Sequence, residues 1–70
     1  MKNLLEEIKE HYPKISMEDG IAVYGMVRLL QESSEEKIRK IFHDNKVEVD
    51  EETENIFAMA KSIITFTKNA

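Results

Sequence analysis

The chain reads as an all-α protein, a small single-domain four-helix bundle whose third helix is short. Three observations predict it. Apolar residues recur at helical spacing along nearly the whole chain. Four segments open on a residue that caps helices (Asn3, Ser16, Ser33 and Asp50), each with acids in the turn that follows. Within 70 residues there is no repeat, no Gly/Ser- or Pro-rich linker and no convincing strand, so residues 1–70 form one domain.

The first helix is expected over residues 3–12. Leu4, Leu5, Ile8 and Tyr12 share one face, and Asn3 with Glu6 forms a cap and its return partner. Pro13 ends the segment, because the residue before proline is driven out of helical angles.

The second helix starts at Ser16, whose hydroxyl can accept from free first-turn amides, and runs to residue 32. Ala22, Val23, Met26, Val27, Leu29 and Leu30 cover an arc of about 160° at about 100° per residue. Ile21 and Tyr24 widen that arc on either side, so this is expected to be the most enclosed helix. Gly25 lies in its interior, where glycine costs about 1 kcal/mol relative to alanine. Close approach of another helix, or of a partner, would offset that cost.

Ser33 with Glu36 is a capping-box signature for a third helix over residues 34–44, which should bury Ile38, Ile41 and Phe42. Asn45 suits a left-handed C-cap. The stretch "KVEV" is then an extended connector that could seat Val47 and Val49 on the bundle. Asp50 caps the last helix, residues 51–68, in which Ile56, Ala60, Ile63 and Thr67 are flanked by Phe57 and Ile64 on one side and Met59 and Phe66 on the other. Its apolar arc is about 180°, against the ~100° stripe that a surface helix needs.

Composition excludes several functions. A formal charge of −4 gives no general attraction to phosphate backbones or anionic lipid, which disfavours nucleic acid as a partner. No cysteine is present for a disulfide or a thiolate metal site. No apolar run approaches the ~20 residues of a membrane span, and Glu6 and Glu7 interrupt any signal-like core, so a cytoplasmic protein is expected.

The acid cluster Glu48, Asp50, Glu51, Glu52 and Glu54 fails as a calcium loop: counting from Asp44, Val49 stands where glycine is needed and Asn55 where the bidentate glutamate belongs. Those acids read as a helix start. His11 and His43 lie on different segments without zinc-enzyme spacing, and the only glycines, Gly20 and Gly25, make no phosphate loop. Small acidic four-helix chains include the acyl carriers, but "ISMEDGIA" lacks their Asp-Ser-Leu attachment motif. No enzyme activity, cofactor or metal is expected.

What remains is an apolar surplus. A chain this short buries only about 60% of its unfolded surface and cannot hide two such broad helices easily. The expectation is a non-enzymatic protein–protein interaction module (an adaptor, inhibitor or regulator), self-associating as a homodimer or binding another protein. Tyr24, Phe57, Met59 and Phe66 are its candidate contact residues. One alternative is a helix-turn-helix DNA-binding regulator that uses Lys37, Arg39, Lys40 and Lys46 of the third helix and its end. Another is a small subunit of a larger enzyme complex.

Overall fold

The computed structural model describes residues 3–68 and contains four helices: α1 (Leu4–His11), α2 (Met17–Glu32), α3 (Glu35–Asp44) and α4 (Glu51–Lys68). Each helix begins where a side chain satisfies an otherwise free amide. The Glu6 N–H donates to Asn3 Oδ1 at 2.9 Å, and the Asp19 N–H to Ser16 Oγ at 3.1 Å. The Lys37 N–H donates to Ser34 Oγ at 3.2 Å, and the Thr53 N–H to Asp50 Oδ1 at 2.9 Å.

Two local expectations need correction. Ser34, not Ser33, caps α3, because the Ser33 N–H is already committed to Leu29 O at the end of α2. The left-handed residue after α3 is Lys46, with φ 58°, while Asn45 stays at φ −95°. Val47 N–H reaches back to Phe42 O and Lys46 N–H to His43 O, the pair of bonds that defines a Schellman ending. The register of those two bonds puts the positive φ one residue beyond the asparagine.

The core is a seam between α2 and α4. Val23, Met26 and Val27 of α2 meet Ile56, Phe57, Ala60 and Ile63 of α4; Ile8 from α1 and Ile38 from α3 complete it. The connector delivers Val49 to this core but leaves Val47 half exposed. Helix α1 packs mainly on α2, where a Cβ added to the buried Gly20 would stand about 4 Å from the Leu5 and Ile15 side chains. α3 also contacts α2, yet its backbone stays clear of α4 and meets it only through side chains.

The Cα extents are 37 × 23 × 15 Å. The shortest matches two helix layers: an interaxial distance of about 8–10 Å plus a Cα radius of about 2.3 Å on each side. In so thin a slab each helix has one covered side. Ile21, Ala22 and Leu29 of α2 and Ile41 of α3, expected inside, are therefore exposed. No helix among the described residues is long and apolar enough to cross a membrane.

Candidate protein-binding surface

The outer side of α2 carries Met17, Ile21, Gly25 and Leu29 at four-residue intervals. Each step of four advances about 40° around the helix, so the set forms a slowly turning stripe about 120° wide. Met17 is 71% exposed, Ile21 58% and Leu29 44%. Ala22 is exposed beside them, and Tyr24 lies on the stripe's other flank. Arg28 sits within the stripe's edge, while Glu18 and Glu32 mark its two ends.

A helix that is apolar all round normally sits inside a large protein or a membrane. α2 does neither. Its inner side fills the core, and its outer side presents comparable side chains to solvent. Of the two ways to offset the cost of Gly25, close approach of another helix of this chain is not the one used, because a Cβ added there would meet nothing within 4 Å. No contact among the described residues requires glycine at that position.

The expected contact residues separate. Phe57 is 1% exposed and cannot meet a partner. Phe42 packs at 6.1 Å from its ring and the Arg39 guanidinium covers it at 4.3 Å, because α3 folds over the side of α4 on which Phe57 lies. Phe66 is 57% exposed, with its ring edge-on to His11 at 3.9 Å between centroids. His11, the last residue of α1, is thus half-buried against an aromatic ring. Met59 is partly buried against the core.

Phe66 and Met59 border two separate surface depressions that meet at His11 and Tyr12. One, of about 600 Å³, runs over Ala58, Ser62 and Thr65 beside Phe66; the other, of about 490 Å³, lies over Pro13, Lys14, Asp19 and Met59. Apart from Phe66, the exposed α4 residues beneath the first are Ala58, Lys61, Ser62 and Thr65, less adhesive than the α2 stripe. Met17, Ile21 and Leu29 were not among the residues that the sequence singles out. Their signal was the width of the α2 arc, which reads as enclosure until the number of neighbouring helices is known.

Of the basic residues of α3, Arg39 serves the fold. Arg39 donates two bonds to Glu54 of α4, Nη1 to Oε2 at 2.8 Å and Nη2 to Oε1 at 2.7 Å, and a third from Nε to Glu35 at 2.8 Å. Lys61 of α4 closes the network on Glu35 at 3.0 Å. The guanidinium holds the Glu54 carboxyl below its usual range; Lys61 first, then Arg39, does the same for Glu35. Those carboxylates in turn push the Arg39 pKa up. A guanidinium with its fork filled by two carboxylates is not available to a phosphate. The helix-turn-helix alternative thereby loses its central cation, leaving Lys37, Lys40 and Lys46 exposed around it.

Nor are the acids of the cluster only a helix start: Glu54 reaches across to α3. Asp50 accepts from the Thr53 N–H and then the Thr53 hydroxyl, both of which lower its pKa. Among the described residues no three of His, Asp and Glu stand together as a metal site would require. Comparison with protein-family models, curated proteins and solved structures finds no match for this chain.

Proposed function

We propose that the protein is a non-catalytic, cytoplasmic protein-binding module whose docking surface is the outer stripe of α2. One observation carries this reading: the longest apolar row left uncovered lies on a regular, well-capped helix, with Arg28 within its edge and Glu18 and Glu32 at its ends. Apolar side chains scattered singly over a surface need no explanation, but a continuous row along one helix is the form in which helical partners are recognised. Such faces hold another helix through anchors about one turn apart, as at i, i+3, i+4 and i+7. Met17 and Ile21 supply anchors one turn apart, and Leu29, two turns beyond Ile21, continues the row past Gly25.

A photoreactive residue introduced at Leu29, with one at Lys9 as control, tests the reading in the native host. Adducts to a protein, whether this chain or another, should form from position 29, be absent from position 9, and disappear when Ile21→Glu is added. Equal adduct patterns from the two positions would overturn it.

A further inference from the structure

We infer that the occupant of the α2 stripe is a second copy of this chain, packed antiparallel so that the two α2 helices cross at Gly25. This rests on α2 being the binding surface and adds what binds there.

The first support is symmetry. A two-fold interface uses the same patch twice and must complement itself. Ile21 and Leu29 lie four residues on either side of Gly25. Antiparallel pairing about that glycine sets each Ile21 level with Leu29 of the second copy, beside it rather than on top of it. The second support is Gly25 itself, for which the single chain has no use. Where two helix axes cross, a missing side chain at the nearest point lets the backbones approach and the flanking anchors interdigitate.

The third support is charge. Arg28 forms no ion pair among the described residues. Antiparallel pairing sets it level with Ala22 of the second copy and one turn from Glu18 of that copy. Parallel pairing would instead put Arg28 level with Arg28 and Glu32 with Glu32. The antiparallel register has its own unfavourable feature, since Glu18 and Glu32 come level at each end and share one arginine. That limits the affinity and also provides a test.

Size sets the scale of the contact. An interface of ordinary size takes about 800 Å² from each partner, about 15% of the 5420 Å² surface of this chain. One helix face about 24 Å long falls at the small end of that class, where weak and transient pairings lie; with acids level at both of its ends, the expected dissociation constant is in the micromolar range, on the order of 10 µM.

Sedimentation equilibrium of the purified chain from about 1 µM to about 1 mM spans that constant. The mass should rise from one chain to two. Leu29→Glu and, separately, Ile21→Glu should weaken association at least about tenfold with helix content unchanged, because both side chains are exposed. Glu32→Lys should tighten it by about threefold, since it replaces each level pair of acids with a lysine facing Glu18. A single-chain mass up to about 1 mM overturns the second copy, as does a dimer indifferent to both apolar variants. Weakening by Glu32→Lys overturns the antiparallel register. A chain that stays single but still gives adducts from position 29 overturns the self-pairing and leaves the binding surface standing, so the two failures are told apart.

Discussion

Val23 and Val27 on one side of α2, and Ile21 and Leu29 on the other, are chemically near equivalents with opposite fates. The first pair is sealed against α4, while the second faces solvent. Nothing in the side chains decides this. Sides are assigned by how many helices the chain can bring to α2, and 70 residues supply one covering layer. An apolar arc therefore reports how much a helix could bury, and the thickness of the domain reports how much it does.

The largest contrast follows from adding the same charge to each side. Val23→Asp should abolish the folded state, because an unpaired buried carboxylate costs several kcal/mol against a total stability of about 5–15 kcal/mol, of which a small domain has the lower end. Ile21→Asp should change unfolding free energy by no more than about 0.5 kcal/mol when measured at low concentration by urea denaturation. Equal effects from the two would show that the stripe is packed after all.

The two phenylalanines of α4 repeat the contrast on a smaller scale. Phe57→Ala should cost about 3–5 kcal/mol, as expected for truncating a fully buried aromatic. Phe66→Ser should cost about 1 kcal/mol, the loss of one aromatic pairing with His11 on an otherwise exposed ring. Urea midpoints of the two variants compare them directly, and a cost for Phe66→Ser near that of Phe57→Ala would place both rings in the core.

Helix number, order, the caps at Asn3, Ser16 and Asp50, and the break before Pro13 were legible in the sequence because each depends on residues within a turn of one another. The width of α2 and α4 was legible too, and so was the surplus of apolar surface. Which part of that surplus stays outside was not legible. Phe57 and Phe66 stand on opposite flanks of α4 and look alike in sequence; only the approach of α3, steered by Arg39 and Phe42, separates them. Glu54 reads as one more helix-start acid until a residue fifteen positions away supplies its partner.

That long-range tie predicts an acid-sensitive step. Glu35 and Glu54 have folded pKa values below the ordinary 4.5, so their contribution to stability is present above that pH and is lost as pH falls through the lowered values. Asp50, lowered from 3.8 by Thr53, adds to the same limb. Arg39→Met removes the charge while leaving an apolar stem to cover Phe57. Its stability should be lower than that of the parent at neutral pH, fall less steeply on acidification, and converge with the parent at the acid end. Salt should weaken the parent more than the variant, because the network is exposed. Parallel acid limbs in the two proteins would show that the clamp does not contribute.

The smallest effect concerns the stripe alone. Gly25→Ala adds a methyl that meets nothing within 4 Å, in a helix interior where alanine is favoured over glycine by about 1 kcal/mol. In dilute solution, where single chains dominate, the variant should therefore be more stable by about 0.5–1 kcal/mol. At high concentration the same methyl stands between two crossing helices and should weaken their pairing. The two shifts have opposite signs because they concern opposite sides of one residue, the helix it belongs to and the surface it leaves bare. A helix with no use for its outer face would show only the gain. Stabilisation of Gly25→Ala that persists undiminished at every concentration, measured by thermal unfolding across the range, would remove the glycine from the interface and with it the reason α2 carries one.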